Sequence, residues 1–114
     1  MKLIIDLDGT ICEEKNFFEK SSAKVNINAK KIIDKLKLEG NTIIIYSARP
    51  WNQYEMTKKW LFKNKIKFDQ LLLGKPIGDY WIDDRAIKYT DWKKIYAKLK
   101  KNKKTFLLLY SYNK

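Results

Sequence analysis

Seven side chains are of types that do chemistry together, and each falls where a chain can gather it with the others. Asp6 and Asp8 end and follow the apolar run KLIID, Ser47 and Arg49 follow TIIIY, Lys75 follows DQLLL, and Asp83 and Asp84 follow DYWI. Four carboxylates with no histidine or cysteine among them form a hard, all-oxygen donor set, which suits Mg²⁺ rather than Zn²⁺. Mg²⁺ takes one or two carboxylates, keeps several waters and meets a phosphate oxygen. A lysine offers a phosphate a point charge, and a serine hydroxyl can donate to one. Phosphoryl transfer needs mainly positioning and charge stabilisation, which such a set supplies. The adjacent pair Asp83-Asp84 is informative because two neighbouring acids repel unless a cation lies between them.

Composition removes other chemistries. There is no histidine in the 114 residues, so neither a Ser-His-Asp triad nor an HExxH zinc site can form. One cysteine makes no internal disulfide and no cysteine-rich zinc site. Acidic residues appear early in MKLIIDLDGT, which argues against a signal peptide, and no apolar run is long enough to span a bilayer. A reduced, cytoplasmic setting is therefore expected. The length fits a single domain over 1–114, since domains usually run to roughly 100–150 residues. The net charge is +12, carried by 23 lysines but only two arginines, Arg49 and Arg85. A lysine-coated surface explains this better than a nucleic-acid interface, which usually leans on arginine.

The elements that must position the seven residues alternate in type. Lys2–Asp6, Thr42–Tyr46, Asp69–Leu73, Asp79–Ile82 and Thr105–Tyr110 read as strands, the first two as strands buried on both faces. Ala29–Glu39 is a helix with Ala29, Ile32, Ile33 and Leu36 inward, Asn28 as N-cap and Gly40 at its end. Gln53–Lys63 is a helix with Tyr54, Thr57, Trp60 and Leu61 at helical spacing. Asp91–Lys101 is a third helix, with Trp92, Ile95, Ala97 and Leu99 as its inner positions, and KKNKK after it reads as a solvated turn. Cys12–Ile27 shows no period and is long enough for a flap only. This order predicts an α/β, Rossmann-like three-layer sandwich around a mainly parallel sheet. Ligands of such sheets bind outside the carboxyl ends of the strands, where the seven residues fall.

The motifs together resemble the haloacid dehalogenase (HAD) superfamily of phosphatases. Asp6-Leu7-Asp8-Gly9-Thr10 matches its DxDGT motif, Ser47 its second motif, Lys75 in GKP its third, and Asp83-Asp84 its fourth, in the family's order. DLDGTIC, YSARP, KKWL, GKP and IDDRA further resemble small capless members encoded with capsule and surface-polysaccharide biosynthesis. The resemblance implies a HAD-like fold with no large cap domain and an Mg²⁺-dependent phosphomonoester hydrolase. Its implied substrate is a small phosphorylated metabolite, such as a sugar phosphate or surface-glycan precursor. It also implies roles. Asp6 attacks phosphorus and forms an aspartyl-phosphate, Asp8 is the general acid and base, and Ser47 and Lys75 hold the non-bridging oxygens. Gly9, Thr10, Ala48 and Arg49 make up the substrate-binding set. Asp6, the Asp8 carbonyl and one of the pair Asp83 and Asp84, with Asp83 favoured, hold the metal.

Other residues have plainer readings beside functional ones. Arg49 either contacts substrate or pairs with Asp84 or another carboxylate, and Arg85 pins the fourth motif's loop. Glu13, Glu14, Phe17 and Phe18 select substrate or close over the core, the latter favoured for the phenylalanines. Trp51, Tyr54, Trp60 and Trp81 read mainly as core, although Trp51 can stack on a sugar. Cys12 reads as an inert, partly buried thiol. Two competing functions remain: a polynucleotide 3′-phosphatase and a non-catalytic interaction module on the same scaffold. The partners expected are a small phosphorylated substrate and a second copy of the chain. The homo-oligomer follows from the short flap and from TFLLLY, whose apolar edge would need cover.

Overall fold

The structure is a computed structural model that describes the backbone of residues 1–112 and all of their side chains except Phe17 and 103–112. Three strands form one parallel sheet: β1 (Lys2–Ile5), β2 (Thr42–Tyr46) and β3 (Gln70–Leu72), in the order β1-β2-β3. Helices α1 (Ala29–Leu38) and α2 (Tyr54–Lys63) make the crossovers, and α3 (Trp92–Tyr112) follows β3 after a long irregular stretch. Ile4 sits opposite Ile44, and Ile45 opposite Leu71, so the carboxyl ends of all three strands open on one edge. This is the expected α/β architecture with a parallel central sheet.

The core follows from alternation in the strands and a 3.6-residue stripe in α1. Ile43 and Ile45 point to the same face of β2 and are fully buried. Ala29, Ile32, Ile33 and Leu36 meet them from α1, as their spacing predicts. Trp60 and Leu61 of α2 close the same core, and each such side chain contributes about 1.5–3 kcal/mol by leaving water. Past the helix end Gly40 takes φ 87, a left-handed conformation that glycine adopts without a Cβ clash.

Several expectations are corrected. Asn28 does precede α1, but its φ is 66 and its side chain makes no capping bond; its carbonyl accepts from Ile32 N instead. β1 is not buried on both faces, since Ile4 is 66% exposed. Asp79–Ile82 forms no strand. It pairs with no strand of the sheet although the outer side of β1 carries no partner, and a four-residue segment that joins no sheet has no stability as a strand. Gly74, Pro76 and Gly78 also punctuate the chain leading into it. The turn at KKNKK and the strand Thr105–Tyr110 are both part of α3. No glycine or proline interrupts Asp91–Tyr112, lysine and leucine favour helix, and a short apolar run does not by its period distinguish strand from helix. The edge-strand argument for an oligomer therefore falls away. Asp91 caps α3 by accepting Lys94 N at 2.9 Å, and Tyr96, not Ala97, packs inward.

Candidate active site

β1 ends at Ile5, and the next residues fold into a tight loop hung from one carbonyl. The backbone N–H groups of Thr10, Ile11 and Cys12 all point at Leu7 O, at 3.1, 2.9 and 3.2 Å. Leu7, Ile11 and Cys12 are fully buried and anchor the loop, which leaves Asp6 and Asp8 directed to the open edge. Gly9 takes φ 82, which a side chain there would resist. Two more loops are knitted beside it. Lys75 N donates to Ser47 O and Gly74 N to Arg49 O, both at 2.9 Å, so the connections after β2 and β3 act as one unit. Gly74, at φ 74, lies under the Trp51 indole, where an added Cβ would come within 2.8 Å of Nε1.

The charged groups then meet in pairs. Lys75 Nζ donates to Asp6 Oδ1 at 2.9 Å. Arg49 grips Asp8 with a fork, Nε to Oδ2 at 2.9 Å and Nη2 to Oδ1 at 2.8 Å, while Nη1 donates to Thr57 Oγ1 of α2 at 3.0 Å. Lys20 approaches the same carboxylate, 3.4 Å from Oδ2. Burial alone would raise the Asp8 carboxyl, but the hydrogen bond and charge of Arg49, with the ammonium of Lys20, outweigh it and hold Asp8 below its usual range. Burial, and then the Asp8 charge, push the Cys12 thiol up to about 12.

These side chains wall a cleft of about 360 Å³. Asp6, Asp8, Ala48, Arg49 and Lys75 line it, joined by Glu14 and Lys20 from the flap and by Ile77, Gly78 and Trp81 from the stretch after Lys75. Seven residues of the sequence reading are thus brought to one loop cluster: Asp6, Asp8, Gly9, Thr10, Ala48, Arg49 and Lys75. Of the two readings of Arg49, the structure shows the ion pair, with Asp8 and not Asp84 as its partner. Ser47 is buried, its Oγ accepts Arg49 N at 3.1 Å, and it does not line the cleft. Asp83 and Asp84 stand apart on an exposed turn, where Asp83 Oδ1 accepts Arg85 N at 2.8 Å. No group of three metal-binding acids forms among the described residues.

Three contributors escaped the sequence reading. Lys20 is one of 23 lysines and carried no signal. Thr57 showed only as an inner helix position. Trp81, expected in the core, is 58% exposed at the cleft, with Lys75 Nζ 5.6 Å from its ring centre. Phe18, expected over the core, is 90% exposed, and the Phe17 side chain lies outside the described residues.

A strand-end DxDGT loop, a lysine on its first aspartate and a three-strand parallel sheet together define the haloacid dehalogenase class. The chain matches the haloacid dehalogenase-like hydrolase family over residues 3–114, and it belongs to that family. Among solved structures it is similar to an MCSG target from Vibrio cholerae. That match has 26% identity and a TM-score of 0.67, covering 89% of this chain and 98% of the other. It is also similar to a chain of a Pnkp1/Rnl/Hen1 complex (28% identity, TM-score 0.56, 73% of this chain, 31% of the other). A chain of the Pnkp1/Rnl/Hen1 RNA repair complex matches with 25% identity and a TM-score of 0.55, covering 86% of this chain and 30% of the other. No curated protein matches. Among the described residues no helix is long and apolar enough to cross a membrane.

Proposed function

We propose that this chain hydrolyses phosphomonoesters through an aspartyl-phosphate on Asp6. The observation that carries the reading is the Asp6–Lys75 pair at the end of β1, with Asp8 two residues on and facing the same cleft. An Asp6 oxygen attacks phosphorus in line as the bond to the leaving oxygen breaks, which divides one hard step into two. Asp8 must first take up a proton, against the pull of Arg49 and Lys20, to give it to the leaving oxygen; it then takes one from the water that cleaves the acyl-phosphate. The Arg49 fork sets both Asp8 oxygens, and the ionised state it favours suits the base half of that cycle. Lys75 leaves one Asp6 oxygen for attack and offers its charge to the phosphate.

The residues fit Mg²⁺. The donors at the cleft are oxygens only, and Asp6, whose side chain is 40% exposed, with the Asp8 carbonyl would hold an ion that keeps most of its waters. Asp83 or Asp84 would join them only if their turn reached the cleft. When bound, the ion offsets repulsion between the Asp6 anion and the phosphate.

Small phosphorylated metabolites, sugar phosphates and surface-glycan precursors among them, are the substrates this reading favours. A polynucleotide 3′-phosphatase is the second reading, supported by the likeness to chains of the Pnkp1/Rnl/Hen1 assemblies and by the net charge of +12. Phosphate release with Mg²⁺ from sugar phosphates, nucleotides and 3′-phosphorylated nucleic-acid ends tests both. A steep loss of activity with salt selects the polynucleotide, and weak salt dependence selects the small ester. Release by the wild type from none of these substrates rejects the proposal.

A further inference from the structure

We propose that Lys20 is a substrate-binding residue whose ammonium takes a non-bridging oxygen of the bound phosphate; this rests on the phosphatase reading above. Lysine ammonium groups are costly to withdraw from water, and most here stay in it: the ion-paired Lys67 and Lys94 side chains are 59% and 74% exposed. Lys20 and Lys75, at 13% and 17%, are the least exposed of the ion-paired lysines among the described residues, and both wall the same cleft. Lys75 has Asp6 as its partner. Lys20 shares Asp8 with Arg49, at 3.4 Å against the shorter 2.8 and 2.9 Å bonds of the guanidinium, so two cations face one carboxylate. Its charge is thus surplus to Asp8 and available to an anion.

The fold also fixes Lys20 in place. It lies on the 3₁₀ turn Phe17–Ser22, which Asn16 caps by accepting Phe18 N. Both ends of the flap are tied down. Glu13 N donates to Lys24 O and Lys24 N to the Glu13 carboxylate, each at 3.0 Å, and the buried Trp60 indole donates to Ala23 O at 2.9 Å. A lysine on a flap pinned this way is presented to the cleft with little ordering left to do on binding.

The test compares wild type with Lys20→Met and Lys20→Arg in the full chain with Mg²⁺, using p-nitrophenyl phosphate and inorganic phosphate. The expected result for Lys20→Met is a KM and a phosphate inhibition constant both raised about tenfold, kcat within about threefold of wild type, and partial rescue by Lys20→Arg. A kcat loss at unchanged KM would overturn the proposal, because Lys20 would then act only through Asp8. Calorimetric titration with inorganic phosphate needs no turnover and separates this inference from the phosphatase reading. Tighter phosphate binding by wild type than by Lys20→Met supports it even if no ester is cleaved. Equal binding, or none by wild type, rejects it.

Discussion

The segment from Lys2 to Leu72 and the stretch from Ile77 to Arg85 carry similar apolar content but meet different fates. In the first, Ile43, Ile45, Ile33 and Leu61 vanish into a core, and backbone bonds tie β2 to β3 beyond both ends of the ladder. In the second, Ile77, Tyr80 and Ile82 are 87%, 88% and 99% exposed, and no ladder holds them. Apolar character alone does not bury a segment. KLII gains a partner strand and a helix from the crossover that follows it, whereas DYWI is preceded by glycine and proline and joins no strand. The acidic residues share these fates: Asp6 and Asp8 are locked in pairs, and Asp83 and Asp84 are not gathered with them.

The largest effect should come from the locked region. Asp6→Asn removes the nucleophile, so phosphate release should fall by about 10³-fold or more, with circular dichroism and Tm near wild type. Residual turnover above about one per cent would displace Asp6 from its role. Core substitution should separate the two regions next. Ile45→Ala, at a fully buried site, should cost about 2–5 kcal/mol in denaturant unfolding, whereas Ile82→Ala should stay within about 0.5 kcal/mol. Equal losses would mean that DYWI docks in solution.

The third contrast asks whether the exposed turn reaches the cleft during function. Asp83→Asn should raise the Mg²⁺ concentration for half-maximal activity by about 10–100-fold, while metal-free unfolding stays unchanged. Unaltered Mg²⁺ demand would leave the metal to the first region alone. The smallest effect concerns acid. Asp8 titrates lower in the folded than in the unfolded chain, so its pairing stabilises the fold above about pH 4. That contribution fades as pH falls through the lower folded value. Asp8→Asn should therefore unfold more easily than wild type at neutral pH, with the gap narrowing as the pH falls below about 4. Cys12, buried and raised to about 12, should resist thiol reagents in the same native samples.

Much of this molecule is written locally. The stripe Ala29, Ile32, Ile33 and Leu36, the alternation in TIIIY and the loop DLDGT each depend on residues a few positions apart, so their places in α1, β2 and the site loop were legible. The order of strands placed Asp6, Asp8, Arg49 and Lys75 at one edge for the same reason. What spacing could not reveal depends on partners far along the chain. Arg49 meets Asp8 across 41 positions and Lys75 meets Asp6 across 69, and no sequence pattern says which acid takes which base. Lys20 reaches the cleft because Trp60 of α2 holds the flap's far end, and it reads as one lysine among many until that contact is seen. Whether DYWI becomes a strand rests on its docking against a sheet edge, and TFLLLY continues the helix before it. Secondary structure in short apolar runs is decided by what they pack against, and only the folded chain supplies that.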